Sequence, residues 1–473
     1  MPVTKNLSGL AALDKTVVRD LDLLGTTTRP WIPERHTGTG APILNVLIVG
    51  GGQSGLGVAF GLRQESVDRV LIVDENPPGK AGPWIKFARM ETLRTPKELT
   101  GLDQGIPSLT FRAWYEAQWG EESWAALYRI PREMWAEYLQ WFQEVLSLSV
   151  RHSTRVERME WQATDACFAV TVTSHGKEET LFARKVVLAT GIDGAGAWHM
   201  PQWIRDALPE RCLAHTSDPI DFSELNGKRI AILGAGASAF DNACLALDAG
   251  VREVRLFFRR PEIVRVDAFQ WADFPGFLRN HVDLDDSLRY RFIRHILRMG
   301  QLPTRDSWER ATRYKHFFLH PGSPWEKIQM GEDGVHLSTP SASFVTDFVI
   351  VATGFVTDLK LRSELAALEP NIARWGDRMT LFGDDPIDSA IARHPYLGKH
   401  FEFQEKQPGE APEVQAVFNY NYGSLISHGF GTSGLTGFRY TLQRLINGIT
   451  GQLYRDDIEH HLENLRQFDE PDF

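Results

Sequence analysis

The run Gly50-Gly51-Gly52-Gln53-Ser54-Gly55 constrains this chain more than any other feature. A G-x-G-x-x-G is weak alone. Here it follows an apolar strand, Asn45–Val49, and opens a helix expected from Ser54 to Arg63, with a second apolar strand at Arg69–Val73. Strand, tight turn, helix and strand together make a βαβ unit. Gly50 permits the turn, Gly52 lets a pyrophosphate approach the backbone, and Gly55 brings the helix close to the strand. The free N–H groups and partial positive charge of the first turn, around Gln53 and Ser54, suit the phosphates. Asp74 ends the second strand, where its carboxylate accepts from ribose hydroxyls and repels a 2'-phosphate. The turn therefore suits FAD or NAD rather than NADP, and the acid disfavours a Gly-rich turn with no ligand.

The arrangement recurs. Arg229–Leu233 reads as a strand, Gly234-Ala235-Gly236-Ala237-Ser238-Ala239 as the turn, Ser238–Leu247 as the helix and Val254–Phe258 as the second strand. At the position of Asp74 stand Arg259 and Arg260, whose guanidinium groups match a 2'-phosphate, so this site is expected to take NADPH; the alternative is a pair of surface charges. Each half closes on a strand ending in Ala-Thr-Gly, Val186–Gly191 and Phe348–Gly354, which brings Gly191, Thr353 and Gly354 toward the two sites. The expected fold class is α/β, with two Rossmann-like dinucleotide-binding domains and the NADPH domain inserted into the FAD domain. Residues 1–40 form an N-terminal extension, 41–222 the first part of the FAD domain, 223–358 the NADPH domain, and 359–473 the returning FAD part with the substrate region.

At 473 residues the chain exceeds one ordinary core. Its net charge of -10 argues against nucleic acid as a partner. Three cysteines without a C-x-x-C, and histidines without an H-E-x-x-H, leave a disulfide framework and a metal site unsupported and fit a reducing cytosol. Met1 to Leu13 lacks the pattern of a secretory signal, and Ile43–Val49 is too short to span a bilayer, so a cytoplasmic location is expected with no membrane contact. Oligomeric state is open. Leu10–Leu24 has weak helical spacing, in an extension expected to pack on the first domain. Phe111–Trp119 and Arg132–Val145 read as helices, and the Trp-rich stretch Trp114–Trp141 as core, with one or two rings free to line a pocket. Phe168–Val172 and Thr180–Phe182, joined through Ser174-His175-Gly176-Lys177, read as a hairpin. The turn Gly429–Gly434 leads into a helix through Ile449, and His460-His461 is expected to be solvated.

Taken in order, these turns and Ala-Thr-Gly strands resemble the class B flavin monooxygenases, which include flavin-containing, Baeyer–Villiger and N-hydroxylating enzymes. Gly82-Pro83-Trp84 is similar to their Gly-Gly-x-Trp, and Leu93-Arg94-Thr95-Pro96-Lys97-Glu98 to their Asn-Thr-Ser-Lys-Glu. Pro131-Arg132-Glu133 resembles the segment before the FAD-domain hairpin, Gly236–Asp241 the NADPH turn, and Asp347–Phe355 the Asp-x-x-x-x-Ala-Thr-Gly-Tyr/Phe element. Two places depart. His215 keeps the His of the fingerprint Phe-x-Gly-x-x-x-His, while Pro209 and Arg211 replace its Phe and Gly; Arg94 stands where an Asn is usual.

The resemblance implies an FAD- and NADPH-dependent monooxygenase that inserts one oxygen atom of O2 into a small molecule through a peroxyflavin, by N- or S-hydroxylation or Baeyer–Villiger oxidation. It places Trp84 and Thr95 at the flavin, Arg94, Lys97 and His215 as candidate catalytic groups, and Arg132 as an anchor for an acidic part of the substrate or cofactor. It also points the helix after Gly431-Thr432-Ser433-Gly434, and Gly434 itself, at the flavin. His215 has a second reading as a linker histidine. A reductase or oxidase without oxygen insertion is the main alternative, and a non-catalytic nucleotide-binding protein a third.

Overall fold

A computed structural model describes residues 5–25, 29–99, 101–383, 385–432 and 434–471. The extension forms helix α1 (Leu7–Leu24), capped by Asn6. Strand β1 (Ile43–Val49), helix α2 (Gln53–Gln64) and strand β2 (Val70–Val73) follow as the first motif requires. Helices α3 (Phe111–Ala126) and α4 (Arg132–Val145) carry the tryptophans. Trp114, Trp124, Trp135 and Trp141 are all buried in one core with α1 and α2. The extension packs where expected: a Cβ on Gly9 would meet the Ala117 carbonyl, and the Trp141 indole donates to Asp14 at 2.8 Å.

Strands β3 (Val150–Arg151), β4 (Thr154–Gln162), β5 (Cys167–Ser174) and β6 (Lys177–Leu188) complete the first sheet, ordered β3-β2-β1-β6-β5-β4. Around β1 it is parallel; β4, β5 and β6 form an antiparallel meander. The expected hairpin is present, its two-residue turn built on His175 and Gly176, both left-handed, as a tight hairpin requires.

β7 (Gly196–Trp198) leaves this sheet. Helix α5 (Gln202–Ala207), strand β8 (Leu213–His215), strand β9 (Arg229–Leu233), helix α6 (Ala237–Asp248) and strand β10 (Glu253–Phe257) come next. A helical insert follows, of α7 (Ala268–Ala272), α8 (Pro275–Asn280), α9 (Asp286–Met299) and α10 (Arg305–Thr312). Then come β11 (Phe317–His320), the meander β12 (Lys327–Gly331), β13 (Gly334–Ser338) and β14 (Ser343–Thr346), β15 (Phe348–Val351) and β16 (Phe355–Thr357). The second sheet is wholly parallel, ordered β11-β10-β9-β15-β8. β7 and β16 pair antiparallel, so the outgoing and returning connections cross together as a two-stranded ribbon. Residues 213–215 therefore sit in the second sheet, ahead of the boundary expected at 222.

The returning part adds Val417–Phe418 to β6 in parallel and ends in helices Phe438–Asp456 and Ile458–Gln467. His460 is exposed as expected, but His461 is half-buried, stacked on Tyr454 at 4.8 Å, because the last helix folds back beside Trp31. Among the described residues no helix is long and apolar enough to cross a membrane.

Candidate active site at two dinucleotide turns

The two turns are built alike down to individual atoms. Gly50 follows β1, whose Val49 lies opposite both Val73 and Leu188; Gly234 follows β9, whose Leu233 lies opposite both Phe257 and Val351. Gly50 N–H donates to the Val73 carbonyl at 2.8 Å, and Gly234 N–H to that of Phe257 at 2.8 Å. Both glycines have φ above 100°, and a Cβ would stand 2.4 Å from the Ala189 carbonyl oxygen at Gly50 and 2.5 Å from that of Ala352 at Gly234. Each Ala-Thr-Gly strand end thus fills the space where a side chain would go, which explains why the two sequence elements travel together.

Whether a dinucleotide fits can be tested at the second glycine. A Cβ on Gly52 would meet nothing closer than 3.7 Å, and one on Gly236 nothing closer than 3.9 Å. Both residues are helix N-caps, and neither α2 nor α6 has a side-chain cap, so the N–H groups of their first turns face an open cradle. Gln53, Ser54, Ala237 and Ser238 belong to those turns. The third position differs. A Cβ on Gly55 would lie 1.9 Å from the Gly50 carbonyl, so no side chain is tolerated there, whereas Ala239 is accommodated fully buried. The residues present fit a pyrophosphate at each turn.

The strand ends set the ribose ends apart. Asp74 is buried; one carboxylate oxygen accepts from Gly51 N–H at 2.7 Å, the other from Asn76 N and Nδ2 at 2.8 and 2.9 Å. Of about four lone-pair sites on a carboxylate, one is left for a ribose hydroxyl. Beyond β10 the two arginines part company. Arg260 donates to the carbonyls of Arg298 and Met299, each at 2.9 Å, and so caps the C-terminus of α9. Arg259 is exposed and makes no hydrogen bond or ion pair among the described residues, which leaves its guanidinium free for a phosphate.

The loop between β2 and α3 uses its cations structurally. Lys97 Nζ donates to the carbonyls of Trp124 and Leu127, both at 2.6 Å, closing the end of α3 over the Trp124 ring. Arg132 is turned to the carbonyls of Trp84 and Ala88. Arg94 is turned to the second unit, where it pairs with Asp241 of α6 at 3.0 Å. Asp241 is buried, which raises its carboxyl pKa, with Arg94 opposing. Glu91 reaches Arg310 of α10, which also holds Asp248. Thr95 is half-buried nearby, and the buried indole N–H of Trp84 has no acceptor among the described residues. Asp241 and Glu91 are the groups sequence reasoning did not single out; Asp241 stood inside the quoted turn, but nothing local identified its partner.

His215 lies at the crossing ribbon. Its ring packs on Trp198 of β7, Nδ1 bonds Ser217 Oγ at 2.8 Å, and Nε2 is buried without a partner among the described residues. Burial lowers its pKa, with Asp218 opposing. Beside it Thr353 donates to the His199 carbonyl, and the Gly354 carbonyl accepts from His199 N–H at 2.8 Å. At the first strand end the Gly191 carbonyl accepts from Tyr422 N–H, and Asn421 Nδ2 bonds Thr190 Oγ1 at 3.0 Å.

The late helix approaches the same place. Gly57 and Gly61 of α2 face Leu442 and Ile446 so closely that a Cβ on Gly61 would stand 1.9 Å from Ile446 Cδ1. Contacts advancing by four residues in both helices mean that they run parallel, with their N-termini at one end. The helix begins at Phe438, after a short 3-10 turn over Leu435–Gly437, and not directly after Gly434; Ser433 lies outside the described residues. Over the preceding loop close α7 and α8 of the insert: Phe269 meets Phe430 at 4.4 Å, and Phe277 and His281 crowd Gly429. Burial pushes the His281 pKa down to about 4.

Comparison with known proteins agrees with this geometry. Residues 124–295 match the L-lysine 6-monooxygenase/L-ornithine 5-monooxygenase family, and residues 47–193 the FAD-NAD(P)-binding family. The FAD-dependent urate hydroxylase of Xanthomonas campestris pv. campestris is 43% identical over 98% of this chain and 97% of its own length. Among solved structures, the ornithine hydroxylase of Pseudomonas aeruginosa is 17% identical, with 87% of this chain and 99% of that one covered at a TM-score of 0.68. The ornithine N-hydroxylase of Kutzneria sp. 744 is 15% identical, covering 87% and 100% at 0.67. At these identities the two structures share the fold.

Proposed function

Since this chain belongs to the class B flavin-dependent monooxygenase family, as a relative of the FAD-dependent urate hydroxylase over 98% of its residues, we propose that it hydroxylates urate or a closely related oxidised purine. The reaction consumes NADPH and O2 and leaves one oxygen atom on the substrate. The observation that carries this reading is 43% identity over 98% of this chain and 97% of that relative.

FAD at the first turn supplies the redox chemistry, and NADPH at the second the hydride. The chain's own part is position and field. The N-terminus of α2 and Asp74 hold the first dinucleotide; the N-terminus of α6 and Arg259 hold the second. The N-terminal ends of α2 and of Phe438–Asp456 lie side by side and face the same way, so their partial positive charges favour negative charge at that end. Phe269, Phe277 and Phe430 supply an apolar wall of mutually tilted rings beside it, suited to the exclusion of water. His281 stays neutral at physiological pH and bonds the Ile426 carbonyl through Nε2 at 3.2 Å, which makes it a fixed part of that wall.

The test is urate consumption followed beside NADPH oxidation. Equal rates support the reading. NADPH oxidation that ignores urate and returns hydrogen peroxide would favour an oxidase, and a survey of amines, thioethers and ketones would then locate the substrate class.

A further inference from the structure

We infer that the cleft between α8 and the outer face of helix Phe438–Asp456 binds a small polyanion through its phosphate groups. The cavity measures about 420 Å3, within the range of small-molecule sites. Three arginines open into it, Arg279, Arg439 and Arg444, together with His400 and the amides of Gln443 and Asn447; no carboxylate lines it. The chain as a whole carries a net charge of -10, so three guanidinium groups around one cavity are a local departure from its composition.

Two of the three are held in place. Arg444 donates to the Arg279 carbonyl at 2.7 Å, and Arg279 lies over the Tyr440 ring at 5.0 Å. His400 is seated directly on Gly448, where a Cβ would stand 2.2 Å from its own. Glu402 accepts from the backbone N–H of His400 at 2.8 Å, and the acid that pairs with the cations here is Asp283, 3.3 Å from Lys399 and 3.9 Å from Arg444. Its single charge is met by Lys399, and among the described residues neither Arg279 nor Arg439 has an ion-pair partner. Like charges gathered in this way repel one another unless an anion sits between them, and the planar fork of arginine matches phosphate oxygens. With Asp283 nearby, a ligand with more than one negative charge is selected over a monoanion.

The cleft is separate from both dinucleotide turns. Leu442 and Ile446 face α2, whereas Tyr440, Arg444 and Asn447 look out from the opposite side of the helix. Arg279 comes from the insert of the second unit and the other cations from the first, so a bound polyanion would bridge the two beside the aromatic wall.

Titration calorimetry of the FAD-loaded enzyme, saturated with NADP+ to fill the second turn, tests this with inorganic pyrophosphate as probe and citrate as the carboxylate counterpart. The expected result is saturable pyrophosphate binding that weakens at least about tenfold when Arg279→Ala and Arg439→Ala are combined. Both side chains are exposed, so the variant folds. Arg259→Ala should leave the binding intact. No binding of pyrophosphate up to about 10 mM, or binding that survives the double substitution, overturns the inference. Citrate bound in place of pyrophosphate overturns the assignment to phosphate.

Discussion

Arg94→Ala separates a chemical from a mechanical role for this arginine. Its partner Asp241 is 8% exposed, so the substitution strands a carboxylate away from water. Removing one member of a fully buried pair costs about 3–5 kcal/mol. The Arg94 side chain is 39% exposed and its charge is screened, so the loss expected here is about 1–2 kcal/mol. The pH dependence has a definite sign. Burial already raises the Asp241 pKa in the folded protein, and losing Arg94 raises it further. A carboxyl whose folded pKa lies above its unfolded value binds more protons when folded, so the deficit grows as pH rises and shrinks as pH falls. Arg94→Ala should therefore lag the parent in urea unfolding by more at about pH 8 than at about pH 5, and Asp241→Asn should remove most of that lag in the double variant. NADPH turnover, corrected for folded protein, should change only modestly. Unaltered stability with turnover down more than about a hundredfold would refute the ion-pair account and return Arg94 to the chemistry.

Other perturbations have equally specific expectations. Gly52→Ala should fold normally yet lose FAD, because its Cβ enters the open cradle, whereas Gly55→Ala should damage the turn itself; flavin-to-protein ratio and circular dichroism distinguish the two. Arg259→Ala should raise the NADPH KM about tenfold or more with unchanged stability, while Arg260→Ala should cost about 1 kcal/mol of stability by uncapping α9. His281 and His394 are buried with pKa values of about 4, so both are neutral in the fold and protonate on unfolding. Their contribution is complete above the unfolded value of 6.5 and is lost as pH falls toward 4, about 2 kcal/mol each by pH 5, which urea unfolding of His394→Gln against the parent would register as a flatter acid limb.

The parts of this fold that can be read from the sequence are those with local causes. Gly50 and Gly234 need a positive φ and lie at strand ends, and the Ala-Thr-Gly runs fill the space beside them, so both units are visible in short windows of sequence. The cations of the loop after β2 were less readable, because what decides their use is remote. Lys97 serves the end of α3 and Arg94 reaches α6 in the other unit. The membership of residues 213–215 in the second sheet is hidden in sequence for a related reason. Leu213–His215 is too short to show periodicity and becomes a strand only by pairing with Phe348–Val351. Arg259 and Arg260 look equivalent in sequence, and only the end of α9 separates a free guanidinium from an occupied one.

Oxygen insertion is tested most directly with isotopically labelled dioxygen. The FAD-loaded enzyme is given urate and NADPH under the label, and product and peroxide are analysed by mass spectrometry and colorimetry. One labelled oxygen atom in the purine product for each NADPH oxidised, with little hydrogen peroxide, is the predicted result. Unlabelled, unconsumed urate with all the oxygen recovered as peroxide would contradict it.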